Sequence, residues 1–277
     1  MTLADKTAAD IVMSSWNGEM YSNFDIKSSS GADGMKKVSS RKTTGTINGG
    51  GVSIAEFDID GLDDLFITSN MGFNRLYKIN GGVKFLDVSK TSGIRSSRDW
   101  CTGTTVVDIN NDGLLDLYVS RSGWFEEANL RSNLLYINKG NLRFEEQASM
   151  FGIDDKGYST QSAFFDADGD GDLDLYVMNH PNTFSESLTD FMAKAKHPPP
   201  YQSDNFYVNE DGKFKLASDK WGVKNYGHGL GLVTSDFNND GKIDVYVSND
   251  YQQHDFLYLN TGEKFVERSS ERLRHMA

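Results

Sequence analysis

The chain has 277 residues, of which 38% are hydrophobic, 12% are aromatic and 27 are glycine. This length allows a substantial buried core, and so many glycines favour numerous tight turns over long helices. The formal net charge of −12 argues against nucleic acid or an anionic membrane surface as the partner.

Covalent and targeting features exclude further classes. Cys101 is the single cysteine, so an internal disulfide is excluded. No run of 18 apolar residues occurs, so we expect no transmembrane helix and no insertion into a membrane. The first residues, MTLADKTAADIVMSSW, lack the basic start and apolar run of a signal peptide.

Residues 1–46 carry no acidic motif. The segment NFDIKSSSGA within them loosely echoes KFLDVSKTSG further along the chain. We therefore expect this part to be an N-terminal segment that either supplies a closing strand to a later repeat or is partly disordered. Residues 47–277 are predicted to form one repeat domain.

An acidic ten-residue loop recurs four times from residue 47 onwards. We number the loops 1 to 4, at residues 56–65, 108–117, 166–175 and 236–245, with spacings of 52, 58 and 70 residues. A strand of small residues precedes each loop, a β-type segment follows it, and a hairpin with an Asn/Gly turn comes next. Four antiparallel strands per unit predict an all-β fold of β-propeller-type blades.

The loops concentrate negative charge and oxygen ligands. They contain sixteen of the 40 Asp and Glu residues, and four bound Ca²⁺ ions would change the net charge from −12 to about −4. Positions 1, 3, 5 and 9 always carry a side-chain oxygen: Glu56, Asp58, Asp60, Asp64, Asp108, Asn110, Asp112, Asp116, Asp166, Asp168, Asp170, Asp174, Asp236, Asn238, Asp240 and Asp244.

The two remaining informative positions fit a chain that curls around an ion. Position 6 is always glycine, at Gly61, Gly113, Gly171 and Gly241, because glycine tolerates positive φ. Position 7 varies freely, which is typical of a residue whose backbone carbonyl is the ligand. The position-7 residues are Leu62, Leu114, Asp172 and Lys242.

Six to eight oxygen ligands are what Ca²⁺ prefers, so the loops predict about four calcium ions. An EF-hand is excluded because position 12 is Ile67, Val119, Val177 or Val247 instead of a bidentate Glu. Magnesium is disfavoured because it keeps most of its waters and rarely uses an all-protein cage. Ordinary Asp-Gly turns explain one such loop more readily than four.

The third unit contains an insertion with helical periodicity. Leu188, Phe191, Met192 and Ala195 fall at i, i+3, i+4 and i+7, and the prolines 198–200 end the pattern. We expect a short amphipathic helix that covers the blade edge, or else a partner-binding insertion.

The loop pattern D-x-[DN]-x-D-G-x-x-D-[LIV] resembles the FG-GAP/VCBS repeats of integrin α-subunit propellers and of bacterial proteins similar to the cartilage acidic protein family. The resemblance covers about residues 47–270. It implies a propeller whose acidic loops join the first and second strands of each blade and bind calcium at the positions named above. Such propellers usually have seven blades, so this chain is part of a longer propeller, a small ring of four blades, or one member of an assembly.

Other reactive residues give no recognisable motif. The five histidines form no H-x-x-x-H or H-E-x-x-H pattern, so loop or surface positions are expected for them. His228 is the one we expect near the axial channel. Cys101 is predicted to be a buried structural thiol.

The favoured function is a non-enzymatic, calcium-binding extracellular or cell-surface module for adhesion, which recognises a protein or glycan through its variable loops. Self-association is compatible with the same pattern. One rival is a polysaccharide lyase or hydrolase on a propeller scaffold, for which His228 together with a Tyr and an Arg would be the sign. The other is a purely structural repeat segment.

Overall fold

The computed structural model describes residues 12–16, 19–23, 50–70, 72–82, 84–94, 99–123, 125–182, 187–250 and 253–272. Within them the chain forms four antiparallel four-stranded sheets and a two-stranded hairpin of β1 (Val12–Trp16) and β2 (Glu19–Asn23). The predicted all-β fold of propeller-type blades is confirmed. Apart from Asn23, the segment NFDIKSSSGA lies outside the described residues, so its proposed closing role stays a prediction.

Each blade consists of four strands that are consecutive in the chain and paired in chain order. The sixteen strands of blades 1 to 4, four to a blade, are β3 (Val52–Ala55), β4 (Asp64–Ile67), β5 (Arg75–Ile79), β6 (Phe85–Asp87), β7 (Cys101–Val107), β8 (Asp116–Arg121), β9 (Leu134–Asn138), β10 (Phe144–Glu146), β11 (Ser159–Phe165), β12 (Asp174–Asn179), β13 (Asn205–Glu210), β14 (Lys213–Leu216), β15 (His228–Ser235), β16 (Asp244–Asp250), β17 (Phe256–Asn260) and β18 (Phe265–Glu267).

Apolar side chains on both faces of the second strands hold the blades together. The residue one place after the position-9 aspartate packs towards the preceding blade. The residue two places after it packs towards the following blade, because side chains alternate between the two faces of a strand. The pairs that share a core cluster across the three blade interfaces are Phe66 with Leu117, Tyr118 with Leu175, and Tyr176 with Val245. In β8 and β12 every residue is buried, the polar ends as well as the apolar residues between them.

The first strands of the blades lie side by side, with β7 between β3 and β11, and β11 next to β15. Hydroxyl groups join them across the interfaces. Thr102 Oγ1 donates to Ser159 O at 2.7 Å, and Thr105 Oγ1 donates to Ser162 O at 2.8 Å. The small polar residues that precede each acidic loop are therefore inner-strand residues of the blades.

An Asn or Asp just before each third strand fixes the end of the second strand. Its Oδ1 accepts a backbone N–H from that end at 2.7–3.0 Å in all four blades. The four acceptors are Asn74, Asn133, Asp204 and Asp255. This repeated anchor was not predicted, although an Asn or Asp three residues before a tyrosine marks it in every unit.

Helices are short and lie in the connections. They comprise a 3₁₀ turn (Ala128–Arg131), α1 (Ala148–Phe151), α2 (Leu188–Lys196), α3 (Ser218–Trp221) and α4 (Ser269–Arg272). The predicted helix in the third unit is confirmed as α2, and its N-terminus is capped by Ser187. Only Phe191 of the predicted apolar stripe is buried, against Tyr226 at 5.1 Å and His228 at 6.4 Å between ring centroids.

Candidate metal-binding loops

The aspartate at position 9 begins the second strand of each blade and is buried in all four. One of its oxygens accepts the N–H of position 2 in the same loop, and the other accepts an N–H from the end of the third strand. In loop 2 these bonds join Asp116 to Ile109 at 3.1 Å and to Asn138 at 2.7 Å. The same pair of bonds occurs at Asp64, Asp174 and Asp244. Position 9 is therefore a structural clamp as well as a predicted ligand.

The carboxylate at position 1 closes the curl of each loop. Both oxygens of Asp108 accept backbone N–H groups, from Asp112 at 3.1 Å and from Gly113 at 2.9 Å. Asp236 makes the equivalent bonds to Asp240 and Gly241, and Asp166 also accepts the N–H of its position-6 glycine. The predicted positive φ at position 6 is confirmed, with values of 83–95° in the four loops.

Position 4 also has a left-handed backbone in every loop, which the analysis of the sequence did not predict. The residues are Ile59, Asn111, Gly169 and Asn239, with φ of 54–79°. Asn and Gly tolerate this conformation, whereas a β-branched residue is strained there. Ile59 is therefore the unfavourable member of the set.

Position 3 brings a further oxygen to the clamp and the position-1 carboxylate in loop 3. In loop 3, carboxylate oxygens of Asp166, Asp168 and Asp174 lie within 4.8 Å of one another, which is close enough to share one cation. In loop 2, Asn110 takes position 3, and its amide donates to Asp112 Oδ2 at 3.0 Å. Loop 4 repeats this contact between Asn238 and Asp240.

The N–H of position 7 donates to the position-5 carboxylate at 2.8–2.9 Å in all four loops. This bond holds the position-7 peptide against the curl. The donors are Leu62, Leu114, Asp172 and Lys242. Ligation through the carbonyl of these residues stays a prediction.

Burial disfavours the ionised form of the position-9 aspartates and so raises their pKa values. It raises the pKa of Asp116 to about 6 and that of Asp174 to about 7, and neighbouring carboxylates act in the same direction. Burial likewise raises the pKa of Asp64 and of Asp244. A cation among these oxygens favours the ionised form, so the donor set fits a hard divalent ion.

Loop 1 departs from the other three. Oxygens of Glu56, Asp58 and Asp60 lie within 4.8 Å of one another, as in a metal site. However, Lys78 Nζ contacts Asp58 Oδ2 and lies 2.7 Å from Asp60 Oδ2. The hydrogen bonds to these two carboxylates raise the pKa of the Lys78 ammonium.

The histidines give no metal site among the described residues, where each cluster of three possible ligands consists of carboxylates. Histidines were expected in loops or at the surface; His180 lies in the connection after β12 but is buried, and His228 is buried within β15. His180 Nε2 lies 3.1 Å from Ser122 Oγ, and its pKa is lowered to about 4 by burial. Cys101 is buried as predicted and accepts a hydrogen bond from Asn74 Nδ2 at 3.3 Å.

A Tyr and an Arg accompany His180. The Arg131 guanidinium lies 4.2 Å from the centre of the Tyr158 ring, and that ring lies 5.9 Å from His180. The guanidinium is buried and donates to the carbonyl oxygens of Phe125 and Lys156. This arrangement stabilises the connection between blades 2 and 3.

Comparisons with known proteins agree with this geometry. Residues 56–119 match the model of the FG-GAP-like repeat. Cartilage acidic protein 1 of Homo sapiens is 24% identical over 202 residues, and the Mus musculus protein is 25% identical over 210, each covering 72% of this chain. The Xenopus tropicalis protein is 26% identical over 209 residues and covers 69%.

The chain spans less than a third of the length of these curated relatives, between 28% and 30%. In the part of the chain that the structure describes, no helix has both the length and the apolar character needed to cross a membrane. The chain is thus similar to FG-GAP-like repeat proteins in the match of residues 56–119, in its similarity to cartilage acidic protein 1 and in its four equivalent blades.

Proposed function

We propose that this protein is a calcium-binding, extracellular repeat module that presents its variable loops to a protein or glycan. The observation that carries the calcium proposal is the convergence of Asp166, Asp168 and Asp174 in loop 3. Loops 2 and 4 share its backbone curl and clamp, which supports the same role for them.

The donor chemistry favours calcium over other metals. In loops 2 to 4 every predicted ligand is a carboxylate, amide or carbonyl oxygen, and hard cations prefer such donors. Calcium takes six to eight oxygen ligands and tolerates irregular geometry, whereas magnesium demands an octahedral site and retains waters. When bound, the ion neutralises carboxylates that the fold has already brought together.

The first test is thermal unfolding in millimolar calcium and in EDTA. A ligand that binds only the folded state raises its stability, by about 0.4–1.4 kcal/mol for each site when calcium is at one to ten times Kd. Asp168→Asn should reduce the calcium-dependent rise in Tm, because it removes a position-3 carboxylate and keeps the shape. Asp211→Asn is the matched control, since Asp211 is exposed in a hairpin turn outside the loops. Equal unfolding temperatures in calcium and EDTA would refute calcium binding.

The extracellular assignment rests on the similarity to cartilage acidic protein 1 and on loop chemistry. Calcium sites of extracellular modules bind at about 10⁻⁴–10⁻³ M, which suits external calcium concentrations. The assignment predicts loop Kd values in that range by isothermal titration calorimetry. Submicromolar values would instead fit a cytosolic sensor.

Exposed apolar side chains on the variable loops support a recognition role. Leu188 and Met192 lie exposed on α2, and Tyr201 is exposed after it. Such residues suit contact with an apolar protein segment or the face of a sugar ring. Binding to an array of neutral glycans and basic peptides should weaken in Met192→Glu, and retention of all binding would exclude α2 as the contact.

A further inference from the structure

Loop 1 contains its own cation. Lys78 Nζ contacts one oxygen of Asp58 and one of Asp60, the carboxylates at positions 3 and 5 that turn towards the inside of the curl. Lys78 lies on β5, so the ammonium reaches the loop from the neighbouring strand, 18 to 20 residues along the chain.

The lysine is peculiar to the first blade. It follows Tyr77, which pairs with Leu65 after the position-9 aspartate. The tyrosines in the same register of the other blades, Tyr136, Tyr207 and Tyr258, are followed by apolar residues. These are Ile137, Val208 and Leu259.

The contact differs from an incidental surface ion pair. Lys242 in loop 4 also has an aspartate nearby, but its Nζ lies 3.8 Å from a single oxygen of Asp240 and both side chains are more exposed. Lys78 bridges two carboxylates, and Asp58 is nearly buried. The second oxygen of Asp58, Oδ1, is buried without a hydrogen-bond partner among the described residues, so the ammonium is the counter-charge that this carboxylate has.

We propose that the Lys78 ammonium takes the place of Ca²⁺ in loop 1, so that the protein binds three calcium ions, at loops 2 to 4. This inference rests on the calcium-binding function proposed above. The tethered ammonium repels a second cation and occupies donors that calcium needs. The carboxylates of loop 1 are therefore neutralised without metal, whereas those of the other loops depend on a bound ion for neutralisation.

The test is the number of calcium ions bound at saturation, measured by equilibrium dialysis with metal analysis. We expect three ions in the wild type, four in Lys78→Met, and three in the matched control Lys215→Met, whose ammonium pairs with Glu210 outside the acidic loops. Four ions in the wild type, or three in Lys78→Met, would overturn the role of the lysine while leaving calcium binding intact. No bound calcium in any of these proteins would refute the calcium function and this inference together.

Thermal unfolding of the variants distinguishes a loss of calcium binding from a defect in folding. In EDTA, Lys78→Met and Lys78→Gln should both unfold at lower temperature than the wild type, because Asp58 and Asp60 lose their counter-charge. Calcium should restore their stability, since loop 1 can then take an ion. Failure of calcium to restore either variant would contradict the replacement of one cation by the other.

Blade 1 and blade 4 each have one face that no neighbouring blade of the described chain covers, and apolar side chains are exposed on both faces. Position 2 of the acidic loop packs against the following blade, and in loops 1 to 3 it is 1–8% exposed. The same position in loop 4 is Phe237, which is 44% exposed. Tyr246 follows the pattern, being half-buried where Phe66, Tyr118 and Tyr176 are fully buried.

On the opposite face, that of blade 1, the first strand is exposed, although Leu65 on the second strand is buried. Ile54 on β3 is 64% exposed, whereas its equivalents Val106 and Phe164 are half-buried against the preceding blade. Val52 on the same strand is also exposed. The two open faces are thus the two halves of the interface that forms three times within the chain.

We infer that a second copy of this chain covers these faces head to tail, with blade 1 of each copy against blade 4 of the other. Two such contacts close a two-fold ring of eight blades. This contact between copies would pair the same kinds of apolar side chains that pair at the interfaces between blades within one chain.

Light scattering on the calcium-loaded protein measures the mass in solution and so tests whether two copies associate. We expect a mass of twice the chain's 30.9 kDa for the wild type and for the control Met150→Asp, whose side chain is equally exposed on α1. Phe237→Asp and Ile54→Asp should each be monomeric. A mixture of the two should form dimers, because it retains one intact pair of faces. A monomeric wild type, or a mixture that stays monomeric, would overturn the inference.

Discussion

Replacing Ile59 by asparagine should stabilise the protein. Ile59 holds φ at 60° in position 4 of loop 1, where loops 2 and 4 have asparagine at 54° and 60°. A left-handed backbone costs an ordinary L-residue about 1–2 kcal/mol, and asparagine tolerates it because its side chain bonds locally. Relief of this strain is the favourable term.

The opposing term is small because Ile59 is 72% exposed. Full burial of an isoleucine contributes about 1.5–3 kcal/mol, so the remaining contact contributes about 0.5 kcal/mol. The net gain is about 1 kcal/mol, which corresponds to a rise in Tm of roughly 2–4 °C for a domain of this size.

Differential scanning calorimetry in EDTA measures this effect without a contribution from metal. The reverse change, Asn111→Ile in loop 2, is the matched control and should lower the Tm by a similar amount. An Ile59→Asn protein that melts at or below the wild-type temperature, together with a neutral Asn111→Ile, would refute the assignment of strain to position 4.

Three further predictions concern burial. Burial lowers the pKa of His180 from 6.5 to about 4, so its contribution to stability is complete above pH 6.5 and is lost as the pH falls towards 4. The loss is about 3 kcal/mol; His180→Gln should flatten the stability–pH profile in urea unfolding, and an unchanged profile would contradict it. Phe57→Ala should lower the free energy of unfolding by about 3–5 kcal/mol, because Phe57 is buried between blades. Phe237→Ala, measured in dilute protein, should lower it by under about 1 kcal/mol, because Phe237 is exposed. Equal losses in chemical denaturation would count against an open face on blade 4. The Cys101 thiol should react with a thiol reagent only on unfolding, and rapid modification of the native protein would disprove its burial.

Much of the fold follows from local patterns in the sequence. Consecutive strands with a fixed acidic loop between the first two require only neighbouring residues to be recognised, and the blades appear where the loops predict them. Helix α2 was predictable from its periodicity and the prolines behind it.

Other features depend on contacts that the loop pattern does not contain. The clamp at position 9 joins Asp116 to Asn138, 22 residues away, so spacing alone marks the aspartate only as a ligand. Lys78 reaches loop 1 because one strand of blade 1 brings it there. The burial of His180 arises from packing against Tyr158, which no motif around the histidine records.

In each described blade, all four strands come from one continuous stretch of chain and pair only with one another. A blade can therefore be duplicated or lost as one segment of the gene. Duplication or loss of one stretch of 52 to 70 residues would add or remove a whole blade and leave the pairing of every other strand unchanged. The acidic loop travels with its blade in such an event, together with the aspartate that clamps it. Descendants of one ancestral blade can therefore differ in the number of blades and the number of ions without any change in how a single blade folds.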